Sequence, residues 1–503
     1  MSTRTYSDAI ECLNSLQSNK ATLDAVKATG GRLNDLAIPE MVEYWERIHN
    51  HTRDELNTLN VIHITGTKGK GSASAFTSSI LCHVKPEWKI GLYTSPHMVS
   101  VRERIRINGT PLSEEVFAKF FFEVWDALDA NTQRKNPNTP VRPMYFRFMT
   151  LVAFHAFIKL KVNATVLEVG VGGTYDSTNI VPRPVVTGIT SLGFDHQGVL
   201  GNTLGEIASQ KAGIFKEGVP ALTVSQPEEG LKSLRKRAKE LELHLIEVPS
   251  TGFSEIKLGL AGTHQASNAS LAVKLAQIFL RQKASIEPEY PLPKSYIDGL
   301  QNVRWPGRCQ TVPDPGHRRI TWFLDGAHTP ESLDCCMQWF VSPGVGLTLQ
   351  PSPRRPIRAL IFNITHGRSG NSFLAAMQTA QATQLKIYGR DEDSQTFFDH
   401  VIFCTNVTYV SGSWKKDLTA VSTSEQELAQ LKTQKELASA WSEQNPSFPQ
   451  SSIHIVPTIE HAVNVVRGLE SESNDTDVSV LVTGSLHLVG GLIEAASLSD
   501  IAL

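Results

Sequence analysis

At 503 residues, with 41% hydrophobic and 19% charged side chains, the chain is long enough for roughly two to four domains with sizeable cores. The 48 basic and 50 acidic residues leave a formal charge of −2 and no local basic patch, so no nucleic-acid partner is expected. No apolar run reaches the roughly 18 residues of a membrane span, and six cysteines without CxxC spacing read as free thiols in a reducing compartment.

In chain order, Met1–Leu16 carries Asp8, Glu11 and a single Arg, which does not read as a signal or transit peptide. Short apolar runs then alternate with helical patterns. The predicted strands are Val61–Thr65, Ile90–Thr94, Ala164–Val169, Val185–Thr190 and Ala221–Val224, with Ser72–His83 and Tyr145–Leu160 as helices. This alternation predicts an α/β fold whose first domain has a mostly parallel, P-loop-type sheet. Arg104–Thr110 reads as a further strand ending in an Asn108-Gly109 turn. Asn131–Pro143, Ser342–Arg355 and Ser471–Asp477 read as surface loops.

A second series follows Trp305-Pro306-Gly307, which breaks the preceding helix and sets the predicted domains at 1–304 and 305–503. Its strands are Ile320–Leu324, Ala359–Ile364, Val401–Thr405, Ile453–Val456 and Val478–Val482. Helices are expected at Pro330–Phe340, Ser372–Leu385, Gln426–Trp441, Ile459–Leu469 and Ser485–Ala496. Five βα units of this kind predict a Rossmann-like α/β domain.

The β-branched run Val61–Thr65 leads into Gly66-Thr67-Lys68-Gly69-Lys70-Gly71-Ser72 and then a helix. Glycines let the backbone N–H groups curl around an anion, and the helix dipole adds to its attraction. A lysine supplies charge to outer phosphates, and Ser72 supplies a hydroxyl beside a metal. The string departs from G-x-x-x-x-G-K-[ST], because Gly71 separates Lys70 from Ser72. A ligand-free glycine turn is the plainer alternative.

Thr65–Ser72 closely resembles the nucleotide loop of the Mur ligase superfamily, and within it the folylpolyglutamate synthases, above all their eukaryotic, fungal-like branch. Tyr6–Asn19 is similar to that branch's N-terminal helix. Ten blocks follow the loop in the family's order: Tyr93–His97, Arg102–Asn108, Tyr145–His155, Leu167–Gly173, Asp195–Leu200, Gln210–Lys216, Gly262–Ala269, Trp305–Arg308, Asp325–His328 and Val482–Gly491. Gln395–Pro449 adds little beyond its αβ pattern.

The resemblance implies an ATP-dependent ligase that joins L-glutamate to the γ-carboxylate of a reduced folate through an acyl phosphate. Dihydrofolate synthase is the alternative. ATP as co-substrate, Mg²⁺, a carbamylated Lys211 and a monovalent cation are the implied cofactors. The expected setting is a cytoplasmic monomer, with a mitochondrial pool left open. Residue by residue, the resemblance places Ser95, Glu168 and His196 on Mg²⁺. It places Gly66, Thr67, Lys68, Gly69, Lys70, Gly71, Ser72, His264, Asn268, Arg308 and Asp325 on the nucleotide, and Lys70, Lys211 and His328 in the chemistry. A helix cap or a salt bridge is the competing role for each carboxylate. His264 and Asn268, four apart, are expected on one helix face. Phe146, Phe148 and Phe154 form a stripe that either stacks on a pteridine or, as such stripes more often do, belongs to the core.

Overall fold

The computed structural model describes residues 4–17, 35–250, 255–350, 355–364, 370–410, 430–472 and 476–502. The predicted starts and ends at 18–19, 351–354, 426–429 and 473–475 lie outside them. The chain divides into two units. One comprises Met1–His97, Arg102–Gly259 and Gln265–Arg304; the other comprises Met98–Val101, Leu260–His264 and Trp305–Leu503.

The first unit holds an eight-stranded sheet in the order β4-β3-β2-β5-β1-β6-β7-β8. Its strands are β1 (Val61–Thr65), β2 (Ile90–Tyr93), β3 (Ile105–Ile107), β4 (Thr110–Pro111), β5 (Ala164–Glu168), β6 (Val186–Ile189), β7 (Ala221–Val224) and β8 (Leu245–Val248). The six from β2 to β8 in that order are parallel, and β3 and β4 add an antiparallel edge. Every residue of β1 is buried, as a continuous β-branched run at the centre of a parallel sheet should be. The predicted strand within Arg104–Thr110 is β3, and it ends in the expected Asn108-Gly109 turn, which leads into β4. Asn108 (φ 48°) and Gly109 (φ 81°) both take left-handed backbone, and the chain folds back at that point.

Strands β1, β5 and β6 end side by side. The connection after β5 crosses β1 to reach β6, which opens a crevice at the carboxyl edge, where α/β proteins gather ligands. The helix Lys70–Val84, which leaves that edge, packs against Gln265–Ala284 and Lys294–Asn302. Its approach to the second is backbone-close. A Cβ on Gly299 would stand 2.7 Å from Ile80 Cα, and Ser79 Oγ donates to Gly299 O at 2.7 Å.

The second unit carries a six-stranded sheet, β13-β12-β11-β14-β10-β9. Here β10 (Ile320–Leu324), β11 (Ile357–Phe362), β12 (His400–Cys404), β13 (Ile453–Val456) and β14 (Val478–Thr483) run parallel, with β9 (Gln310–Pro313) antiparallel on β10. The helices Pro330–Phe340, Gly370–Ile387, Lys432–Gln444 and Ile459–Glu472 occupy the four connections and Leu486–Ala495 follows β14, the Rossmann-like arrangement expected from the βα repeat.

Gly299→Val would force Lys294–Asn302 away from the helix that follows the glycine loop. Overpacking of this kind costs about 1–3 kcal/mol. Urea unfolding should show the loss, while Gly468→Ala, at a helical position where a Cβ meets nothing within 4 Å, should be neutral or slightly stabilising.

Candidate active site at the carboxyl edge of the first sheet

Thr65, the last residue of β1, donates through its hydroxyl to Gly172 O at 2.6 Å, which roots the loop on the turn after β5. A Cβ on Gly66 would lie 1.8 Å from Thr190 Oγ1, so this position demands glycine. Gly69 (φ 87°) caps the helix Lys70–Val84, and a Cβ there would lie 2.2 Å from Asn268 Oδ1. Lys70, Gly71 and Ser72 therefore form the helix's first turn, where N–H groups and the dipole favour an anion. The N–H groups of Thr67 and Lys68 point elsewhere, donating to Ser191 O at 2.9 and 3.1 Å. They fasten the loop to the continuation of β6. Ser72 is buried beside Gln265, whose Nε2 lies 3.4 Å from its Oγ and whose Oε1 accepts from Asn268 Nδ2 at 2.9 Å.

Three lysines gather here. Lys70 Nζ donates to Gly66 O at 3.1 Å and Thr67 O at 3.5 Å, and Lys211 Nζ donates to Gly66 O at 2.7 Å. Lys68 Nζ pairs with Asp195 Oδ2 at 3.2 Å. Lys211, at the end of the helix Leu204–Lys211, is 3% exposed. Burial, followed by the charge of Lys70, pushes its ammonium well below the ordinary lysine range; Lys68 adds to this, while Asp195 and Asp176 oppose it. Glu168, the last residue of β5, stands in register beside Ile64 of β1, and its Oε2 accepts from the backbone N–H of Ser95 at 3.0 Å. His196 has φ 52° and opens the short helix Gln197–Leu200. Burial lowers its affinity for a proton; Asp195 works against this, and Lys70, Lys211 and Lys68 add to it.

Glu168, His196, Ser95, Lys68, Lys70, Lys211 and Asn268 thus belong to one unit and one sheet edge. Among the described residues no group of three His, Cys, Asp or Glu side chains is arranged to hold a metal ion. Glu168 and the hydroxyl of the adjoining Ser95 are hard oxygen donors of the kind Mg²⁺ takes while keeping several of its waters; the His196 imidazole is a softer nitrogen.

The second unit presents Arg308, Asp325, His328 and His264. Asp325 Oδ2 accepts from Cys309 N at 2.8 Å and its Oδ1 from Ala327 N at 2.9 Å, so the carboxylate folds the turn after β10. Arg308 Nη1 donates to Gly307 O at 3.0 Å, and His328 Nδ1 donates to Gly326 O at 2.8 Å. His264 does not share a helix face with Asn268. It lies in the turn after Gly262 (φ 105°), the helix begins at Gln265, and the residue groups with the second unit. Burial lowers the His264 pKa, with Asp325 opposing and Arg308 reinforcing the shift. Of the aromatic stripe, Phe148 and Phe154 are core. Phe148 packs on Phe121 with centroids 5.0 Å apart, and Phe154 meets Trp45 edge-on at 6.1 Å. Phe146 lies against the turn beside Glu168, where a Cβ on Gly170 would come within 2.4 Å of its Cζ.

No family model matches the chain. A folylpolyglutamate synthase of Saccharomyces cerevisiae (strain FostersO) is 44% identical over 503 residues, spanning 97% of this chain and 86% of the relative. The chain belongs to the folylpolyglutamate synthase family. Solved structures share the fold. Mycobacterium tuberculosis folylpolyglutamate synthase complexed with ADP and AMPPCP superposes with a TM-score of 0.68 at 21% identity, covering 91% of this chain and 95% of that one. The apo form of L. casei FPGS gives 0.66 at 20%, covering 98% and 99%.

For a folylpolyglutamate synthase, the sequence reading left out four residues that organise this edge: Asp176, Asp195, Gln265 and Thr178. Asp195 adjoins His196 in a quoted block and could have been found as the counter-charge to Lys68. Asp176 and Thr178 follow the glycine turn without any charge or spacing signal of their own.

His63, on β1, is fully buried, and burial pushes its pKa down to about 3, with Lys216 contributing. The unfolded chain therefore takes up the proton first, and stability is lost as pH falls from about 6.5 toward 3. Going from pH 7 to 5 should cost about 2 kcal/mol from this residue, the slope approaching 1.36 kcal/mol per unit below pH 6.5. Urea midpoints at pH 7 and 5 should show that fall, and His63→Gln should flatten it.

Proposed function

We propose that this chain lengthens the glutamate tail of tetrahydrofolate, with ATP driving the amide bond. As a folylpolyglutamate synthase family member it is an ATP-dependent ligase that adds glutamate to folate. The observation that carries the residue-level reading is the meeting of Lys68, Lys70 and Lys211 around the Gly66 loop, on the sheet edge that also carries Glu168.

The γ-carboxylate of the folate attacks the γ-phosphorus of ATP. The bond to the β-phosphate oxygen breaks, leaving ADP and an acyl phosphate. The neutral α-amine of glutamate then adds to the acyl carbon and loses a proton, and the C–O bond to phosphate breaks as the amide forms. Gly66–Ser72 with Lys68 and Lys70 holds the phosphates, and positioning and charge compensation dominate such a transfer. Ser95, Glu168 and His196 are the residues that would hold Mg²⁺, which when bound offsets phosphate charge and polarises the transferring group. The same reading assigns Asn268, His264, Arg308 and Asp325 to the nucleotide and His328 to the acyl phosphate. Residues 1–304 would form the ATP- and folate-binding domain, and residues 305–503 the ligase domain.

Lys211 fits a carbamate. Its buried amine favours the neutral form, which adds CO₂ to give an N-carboxylate and releases one proton to solvent. The anion would be compensated by Lys68 and Lys70. A monovalent cation, a monomeric state and a cytoplasmic location with a mitochondrial pool complete the proposal. Among the described residues no helix is long and apolar enough to cross a membrane.

With ATP, Mg²⁺ and labelled glutamate, tetrahydrofolate should be extended with release of ADP and phosphate. Efficient use of dihydropteroate with tetrahydrofolate inert would instead identify a dihydrofolate synthase. Glu168→Gln should slow the reaction and raise the Mg²⁺ concentration needed for half-maximal rate; an unchanged Mg²⁺ titration removes Glu168 from the site. Lys211→Ala should be nearly inactive and partly restored by acetate. Activity indifferent to CO₂ depletion, with an unmodified amine by intact mass, overturns the carbamate.

A further inference from the structure

A histidine is out of place in β1. The strand is buried along its whole length and lies between β5 and β6, a setting that ordinarily takes aliphatic side chains. His63 is nevertheless there, fully buried. Its Nε2 lies 2.8 Å from Thr178 Oγ1, and Thr178 Oγ1 in turn lies 2.6 Å from Asp176 Oδ1. Asp176 faces donors: Thr178 N reaches Oδ1 at 3.0 Å and Val171 N reaches Oδ2 at 3.0 Å. Burial raises the Asp176 pKa, and the hydrogen bonds from the Thr178 hydroxyl and from the backbone N–H groups of Val171 and Thr178 oppose that shift and select the carboxylate; a carboxylate accepts and cannot donate, so the single hydroxyl hydrogen of Thr178 goes to Asp176. The hydroxyl oxygen must then accept from His63. That fixes the imidazole as the neutral Nε2–H tautomer, with Nδ1, buried and without a hydrogen-bond partner, as the bare acceptor. The polarity of the chain of bonds follows from valence.

What this chain of bonds holds is the loop after Glu168. Val171 N is pinned by Asp176, and Gly172 O by Thr65. A few residues on, Thr174 N donates to Gln210 O at 2.9 Å, and Asn179 Nδ2 donates to Gly213 O at 3.1 Å, on either side of Lys211. The loop therefore links the strand end carrying Glu168 to the backbone carrying Lys211.

We propose that His63, through Thr178 and Asp176, is a positioning residue that registers the Glu168 turn and the Lys211 segment on the central strand from which the phosphate loop springs. Buried hydrogen-bonded chains of this kind fix geometry because breaking one link strands the next polar group. The proposal rests on the reading of Glu168 and Lys211 as site residues, and it makes a structural claim that can be checked without that reading.

The structural claim is tested on the full-length, isotope-labelled protein. Imidazole nitrogen NMR, with the His63 signals assigned by their loss in His63→Gln, should show a neutral Nε2–H ring at pH 7, and Thr178→Val should shift it. An Nδ1–H ring, or signals indifferent to Thr178→Val, overturns the relay. The functional claim is tested with variants that keep or remove one link. Thr178→Ser and His63→Gln each keep a donor in place and should stay within about threefold of the parent rate. Thr178→Val and His63→Leu should lose about tenfold in kcat, equivalent to roughly 1.4 kcal/mol on the barrier, and should require more Mg²⁺. Thermal unfolding identifies any variant that fails to fold, and the serine and glutamine variants then decide. Equal rates for Thr178→Val and Thr178→Ser overturn the positioning role if Glu168→Gln is impaired. If Glu168→Gln is also unimpaired, it is the reading of the site that fails.

Discussion

The carbonyl of Gly66 is the point on which this sheet edge is registered. It accepts from Lys211 at 2.7 Å and from Lys70 at 3.1 Å, and its own residue can be only glycine because Thr190 stands where a side chain would begin. Two amines meet on one neutral oxygen, and the charge of Lys70 adds to burial in driving Lys211 toward its neutral form. The backbone thus holds the Lys70 cation and the Lys211 amine close together before any polyanion arrives. Preorganisation of this kind lowers the reorganisation required when charge arrives.

The carboxylates nearby are not equivalent counter-charges. Asp195 is committed to Lys68 and to the N–H of His196. Asp176 is committed to loop N–H groups and to Thr178. Glu168 accepts the backbone N–H of Ser95 at the end of its strand. Burial acts the same way on Lys211 and His196: it lowers both pKa values, driving Lys211 toward the neutral amine and keeping the His196 imidazole neutral.

The central architecture was legible because its signals are local and strong. Val61–Thr65 and Ala164–Glu168 are short, fully buried runs of mostly apolar and β-branched residues, and the glycine loop between strand and helix leaves few alternatives. β8 (LIEV) and β9 (QTVP) were not legible. Each is a four-residue edge strand with mixed polarity and half-open burial, so neither periodicity nor hydrophobicity separates it from a loop. The helix-face reading of His264 and Asn268 failed for a different reason. Spacing of four residues says nothing about where a helix begins, and the left-handed Gly262 turn delays its start to Gln265. The stripe at Phe146, Phe148 and Phe154 divides because a helix packed on two sides buries most of its circumference, leaving the first turn alone to reach the sheet edge.

Asp325 shows how much local folding a single motif residue can carry. Its two oxygens gather the N–H groups of Cys309 and Ala327, from opposite sides of the β9–β10 edge, and hold Gly326 in a turn where a Cβ would collide with Leu486 at 2.2 Å and approach Arg308 Nη1 to 3.0 Å. An aspartate is well suited to this task, since its short stem brings two acceptors within reach of two nearby donors; asparagine would present an N–H₂ to one of them and leave a buried donor unmatched. The consequence reaches Arg308, whose guanidinium is aimed by the same turn through Gly307 O. Asp325 thus acts on Arg308 through backbone, as Asp176 acts on the turn after Glu168 through Val171 N.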